Sequence, residues 1–130
     1  MTTSLDTNIL MRYIWKDVPG QREKAVALLD DESQTFYISD LVVAEVAFNL
    51  RAENLRRKTV AKVLESILAK RNIKANPMIM DEVLPFFAEH PALSFVDCYA
   101  ACEAGKRGRQ PLWTFDRRLA NQHPSAKRLN

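Results

Sequence analysis

The chain has 130 residues, 47% apolar and 27% charged, with three glycines and six prolines. That is about one domain's worth of sequence with material for a core, and it excludes a disordered tail, a collagen-like repeat and a disulfide scaffold. The net charge of +3 is distributed in blocks: 4 basic and 8 acidic residues over 1–50, 8 and 2 over 51–74, 0 and 5 over 75–104, 7 and 1 over 105–130. Basic blocks of this kind either hold a polyanion or form solvated helix faces, Arg56, Arg57, Lys58 and Lys62 being the case in point. No uncharged apolar run approaches the ~18 residues that span a bilayer. No secretory signal is visible at the start. Cys98 and Cys102 lack zinc-type or Cys-x-x-Cys spacing. The expectation is a reduced, cytoplasmic protein forming one domain over residues 1–130.

In chain order, Thr2-Thr3-Ser4-Leu5-Asp6 reads as a strand ending on Asp6, and Asp6 or Asn8 caps a short helix through Trp15. Pro19 suits the first turn of a second helix, striped by Ala25, Leu28 and Leu29 and stopped at Asp30-Asp31-Glu32. Gln34 to Ile38 is a second strand, and Ser39 or Asp40 caps a long helix through about Glu53. Val60, Val63, Leu64, Ile67 and Leu68 have helical spacing, which predicts an amphipathic helix over Thr59 to Lys70. Ile73-Lys74-Ala75 is a short third strand. Asn76-Pro77 opens a helix that Pro85 should kink or break. Ser94 to Gly105 is a helix ended by glycine, Pro111 to Phe115 a fourth strand, Asp116 to Gln122 a short helix, and Ala126 to Leu129 a weak last strand. Strands alternating with helices predict an α/β sandwich with a mostly parallel sheet. Trp15, Trp113 and both cysteines read as core residues, and His90 and His123 as incidental, since neither lies near an acidic motif in sequence.

Four carboxylates stand out. Asp6 ends the first strand, Asp116 ends the fourth, Asp97 lies in the first turn of the helix after Ser94, and Glu45 lies in the second turn of the helix after the second strand. Three have ordinary explanations: Asp6 as an Asx-turn or cap, Asp97 in a capping box with Ser94, Asp116 as an N-cap. Glu45 sits too far along its apolar helix to cap it, so it must face water or find a cation. In an open parallel sheet, strand C-ends and following helix N-termini gather along one edge. Carboxylates converging there would repel unless a divalent cation joined them. Hard oxygen donors without His or Cys suit Mg²⁺, with Mn²⁺ as a substitute, and such sites hydrolyse phosphodiesters.

Asp6-Thr7-Asn8 after a strand, Glu45 in an apolar helix, Phe95-Val96-Asp97 opening a helix and Thr114-Phe115-Asp116 ending a strand together resemble the PIN-domain nucleases, and within them the compact VapC-type toxins of toxin–antitoxin pairs. The resemblance covers the whole chain in motif order. It implies a three-layer α/β/α sandwich and Mg²⁺-dependent cleavage of RNA, with Asp6, Glu45, Asp97 and Asp116 as the catalytic and metal-binding quartet. Asp6 and Asp97 are the foremost ligands, and Thr7, Asn8 and Thr114 the supporting positions. It also implies a homodimer and a cognate antitoxin that blocks the site. The wide apolar faces of the helices around 20–30, 41–54 and 59–70 offer a groove for an antitoxin helix, with a basic side chain reaching Asp6 and Asp97. A stand-alone RNA-processing PIN nuclease and a non-catalytic RNA-binding domain are the alternatives. A phosphoacceptor receiver lacks its paired acids here, and a haloacid-dehalogenase-type phosphatase would need an Asp where Asn8 stands.

Overall fold

The computed structural model describes residues 1–15 and 18–130. Its elements are β1 (Thr2–Ser4), α1 (Thr7–Ile14), α2 (Gln21–Leu29), β2 (Thr35–Tyr37), α3 (Asp40–Ala52), α4 (Arg57–Leu68), β3 (Ile73–Lys74), α5 (Pro77–Glu89), α6 (Phe95–Lys106), β4 (Leu112–Thr114), α7 (Arg117–Gln122) and β5 (Ala126–Arg128). The chain has an α/β fold in which every strand pairing is parallel. β1 pairs β2 with Thr3 opposite Phe36, β2 pairs β3 with Phe36 opposite Ile73, and β4 pairs β5 with Trp113 opposite Lys127. The hydrogen-bonded ladder divides into a three-stranded part, β1-β2-β3, and a two-stranded part, β4-β5.

Helix registers follow from apolar spacing. α3 buries Val43, Val46, Ala47 and Leu50, and α4 buries Val60, Ala61, Leu64 and Ile67, each set recurring at three to four residues along one face. One buried cluster runs from Leu5 to Ala126 and includes Phe36, Ile38, Leu84, Phe87, Cys98 and Cys102. Buried Asn72 ties the end of α2 to the entry of β3, its Nδ2 donating to Leu29 O at 2.9 Å. α5 packs on both α4 and α6, and α6 also meets α3 and β4.

Several expectations need correction. Gly20, at φ +86°, caps α2, so Pro19 lies outside that helix. Pro85 does not break α5: it sits on the exposed side while Met80, Val83, Leu84 and Phe87 hold the helix in the core. Gly105 does not end α6. The helix runs to Lys106, and Gly108 makes the left-handed turn at φ +65°, where Arg109 N–H reaches back to Ala104 O at 2.8 Å. Gly105 is instead a point of close approach, because a Cβ there would stand 2.5 Å from Ser125 Oγ. Both cysteines are buried as expected, but Trp15 and Trp113 are 36% and 56% exposed and belong to the surface.

Candidate active site

Each acid of the quartet takes its place from local chain geometry. Leu5 N–H still bonds Tyr37 O at 3.0 Å, extending the β1–β2 ladder by one residue. The chain then turns at Asp6, whose Oδ1 accepts the Thr7 N–H at 2.8 Å and so caps α1. Thr7 is buried against the core, while Asp6 and Asn8 are exposed. Asp97 and Ser94 form a reciprocal capping box: Asp97 N–H to Ser94 Oγ at 3.1 Å, and Ser94 N–H to Asp97 Oδ2 at 3.3 Å. Asp116 caps α7 through one oxygen, Oδ1, which accepts from Arg118 and Leu119 N–H at 2.8 and 3.2 Å. The Thr114 hydroxyl accepts the Asp116 N–H at 2.9 Å. Glu45 is exposed on α3 between Leu41 and Phe48, themselves 83% and 73% exposed.

Capping therefore does not use up these carboxylates. Asp6, Asp97 and Asp116 each commit one carboxylate oxygen to main-chain amides and keep the other without a hydrogen bond among the described residues. Asp30, Glu82, Glu89 and Glu103 all pair with cations, whereas no member of the quartet forms an ion pair among the described residues. A donor set of unpaired carboxylate oxygens fits a hard divalent cation. No three of the quartet bring their oxygens within 4.8 Å of one another. The structure shows their placement: Asp6 just past the carboxyl end of β1, Asp116 just past that of β4, and Glu45 and Asp97 on helices that pack together.

Among the described residues, the group that does bring three ligand-type atoms within 4.8 Å is Glu82, Cys102 and His123. Sequence reading passed over it, since Cys102 and His123 are 21 residues apart and belong to no motif. His123 Nε2 lies 3.6 Å from Cys102 Sγ and 4.0 Å from Glu82 Oε1. Ser125 N–H donates to Nδ1 at 3.0 Å, which puts the ring proton of the neutral imidazole on Nε2. A metal-bound histidine needs that nitrogen's lone pair and normally donates through the other, so the wiring is that of a buried hydrogen-bond network. Burial, reinforced by Glu82, pushes the Cys102 thiol up to about 12, which keeps it protonated and inert. Burial likewise lowers the His123 pKa and favours the neutral ring. His123 is thus structural, not incidental.

Two further contacts fix the helices that carry the acids. Tyr99, two residues past Asp97, donates its hydroxyl to Asp40 Oδ2 at 2.5 Å, with Glu103 Oε2 at 3.2 Å. Asn76 Nδ2 also reaches Asp40 Oδ2, at 3.4 Å. Burial, then the Asp40 bond, raises the Tyr99 pKa and keeps the phenol a donor. The first residue of α3 is thereby joined to α6 and to the turn after β3. Arg57 is the second tie. Its guanidinium donates to the carbonyls of Phe87, His90 and Leu93 at 2.8, 3.1 and 2.5 Å and stacks on the Phe87 ring at 3.9 Å. Of the basic block read as a polyanion-binding or solvated face, Arg57 is withdrawn into the fold, while Arg56 and Lys58 stay exposed.

The family model for the PIN domain matches residues 4–122, and the chain belongs to the PIN-domain family. PIN domains are generally nucleases that depend on divalent metal. A solved structure similar to the chain is that of VapBC2 from Rickettsia felis bound to a DNA fragment from their promoter. It is 18% identical, with a TM-score of 0.40, over 100% of this chain and 98% of that one. No curated protein matches the chain.

Proposed function

We propose that the protein is a Mg²⁺-dependent endoribonuclease, and that it serves as the toxin of a toxin–antitoxin pair. The observation that carries the nuclease reading is the half-used carboxylates. Within a PIN-family chain, three acids at helix N-termini, Asp6 and Asp116 directly after strands and Asp97 after α5, each hold one oxygen on the backbone and present the other, and a fourth, Glu45, has no capping duty at all. Asp6 and Asp97 are the leading ligands, with Asp116 and Glu45 completing the site or orienting water. A bound divalent cation there lowers the pKa of water and stabilises the leaving oxygen. Thr114 holds Asp116 by its main chain, and Thr7 anchors the turn at Asp6 in the core.

The partner reading rests on surface. A groove between α1 and α2 is lined by Asn8, Ile9, Arg12, Ala25 and Leu28, and begins two residues beyond Asp6. An amphipathic antitoxin helix fits such a groove, and a basic side chain at its end reaches the acids. Leu41 and Phe48, exposed on either side of Glu45, are the apolar surface on which a second copy closes. No helix among the described residues is long and apolar enough to cross a membrane, and we assign the activity to the cytoplasm.

Incubation with pooled cellular RNA in Mg²⁺, in Mn²⁺ and in EDTA tests the chemistry: cleavage with either metal and none in EDTA is the expected result. Binding without metal-dependent cleavage would leave a non-catalytic RNA-binding domain. Growth arrest on expression, relieved by the product of a neighbouring gene, is expected of a toxin. Harmless expression of an active enzyme would leave an RNA-processing nuclease.

A further inference from the structure

Six consecutive residues, Trp113 to Arg118, combine features that have separate explanations elsewhere in the chain. Trp113 and Phe115 are 56% and 75% exposed, unusual for large rings outside an interface. Between them Thr114 bonds the backbone of Asp116. Arg117 and Arg118 follow, both exposed, and neither forms an ion pair among the described residues. The parallel pairing with β5 adds two more cations: Lys127 sits opposite Trp113 with Nζ 5.5 Å from the ring centroid, and Arg128 sits opposite Thr114. Neither of these has a carboxylate partner among the described residues.

We infer that Trp113 and Phe115 form a stacking subsite for an unpaired base of the RNA strand whose phosphate is presented to Asp116. This deepens the proposed function and rests on it for the identity of the strand. The ligand must be aromatic, to gain from two exposed rings, and anionic, to gain from four unpaired cations. A single-stranded nucleotide is both. Base–aromatic stacking beside a basic track is how proteins hold single strands without reading their sequence. In a duplex the bases are already stacked on each other and their faces are closed to side chains. A second copy of this chain is the poorer occupant, because it would bring the same excess of positive charge to the same patch. Trp113 therefore acts as a binding residue three residues before Asp116, and it sets which nucleotide lies over that acid.

Trp113 reports directly on its own occupancy. In a Trp15→Phe background it is the one remaining tryptophan. With EDTA present to leave the strand intact, a short single-stranded oligouridylate should quench its fluorescence, while the same strand annealed to oligoadenylate, or inorganic polyphosphate, should not. Trp113→Ala and, separately, Phe115→Ala should weaken single-strand affinity about five- to hundredfold. Trp113→Phe should restore most of the loss, and the salt dependence should stay unchanged. Arg117→Ala with Arg118→Ala should instead flatten the salt dependence. Phe115 is so exposed that its variant tests the idea even if Trp113→Ala fails to fold. Equal affinity of both alanine variants and wild type, equal quenching by polyphosphate, or a change of oligomeric state on removing the rings would each overturn the subsite. Quenching without metal-dependent cleavage would sink the nuclease reading and keep the subsite. Cleavage without quenching would do the reverse.

Discussion

Arg57 Nη2 and the carbonyl of Leu93 meet at 2.5 Å, one residue before Ser94, whose hydroxyl caps the helix bearing Asp97. A side chain at the start of α4 thus holds the approach to an acid forty residues further along. Charge-assisted bonds to main-chain carbonyls are among the stronger contacts in a fold, and deleting the donor strands its acceptors.

Arg57→Ala should cost about 2–4 kcal/mol in urea unfolding, since three carbonyls and a ring face lose their partner together. Arg56→Ala, next to it and exposed, should stay within about 0.5 kcal/mol of wild type. Similar small effects for both would show that the clamp carries no stability.

Asp6→Asn, Asp97→Asn and Asp116→Asn should each lower Mg²⁺-dependent cleavage by about a hundredfold or more, several kcal/mol of transition-state stabilisation. Asn caps helices as well as Asp does, so melting temperatures should move little. Glu45→Gln gives the sharper comparison, because no cap is involved. Full activity in Asp97→Asn or Glu45→Gln would remove that acid from the site.

The pH dependence should come from His123. Burial lowers its folded pKa below the ordinary 6.5, so the unfolded chain binds the extra proton more readily. The contribution is then fully present above pH 6.5 and is lost as pH falls from there through the lowered folded value. Protonation puts a hydrogen on Nδ1 where Ser125 N–H already points. Glu82 and Cys102 face Nε2, and the rings of Phe86 and His90 complete the surroundings; of these, Glu82 works against the shift and His90 with it. Urea unfolding at pH 7.5 and 5.5 should show the loss in wild type and a reduced loss in His123→Asn, which keeps an acceptor without a titrating ring. An identical pH slope in the two proteins would exonerate His123.

Gly105→Ala should destabilise by about 1–3 kcal/mol, since its Cβ would stand 2.5 Å from Ser125 Oγ. In a Ser125→Ala background the nearest remaining Ser125 atom is Cβ at 3.6 Å, so the same change should be neutral or stabilising through better helix propensity. Additive losses in the double variant would refute the contact.

What could be read in the sequence was what the chain settles locally. Helix faces such as Val43, Val46, Ala47 and Leu50 announce themselves by spacing, and caps such as Ser39, Ser94 and Asp116 by their position before an apolar run. The capping box at Ser94 and Asp97 was legible in full. What escaped depends on partners far away in sequence. Arg57 finds carbonyls 30 to 36 residues on, and Tyr99 finds Asp40 at a separation of 59. Pro85 does not end its helix because α5 is held by burial on its other face. Trp113 was misjudged because a tryptophan's exposure is decided by what packs over it, not by its neighbours in the strand.

The capping of Asp6, Asp97 and Asp116 by main-chain amides has a consequence for how such a chain changes over generations. The aim of each presented oxygen is set by the ends of helices, with Ser94 and Thr114 as the side chains that brace them. Rings and cations around the edge, such as Trp113, Phe115 and Arg117, are free to be exchanged without disturbing the acids they surround. On the proposed reading, substrate preference and reaction centre are therefore separable traits in this fold, and drift in the first need not erode the second.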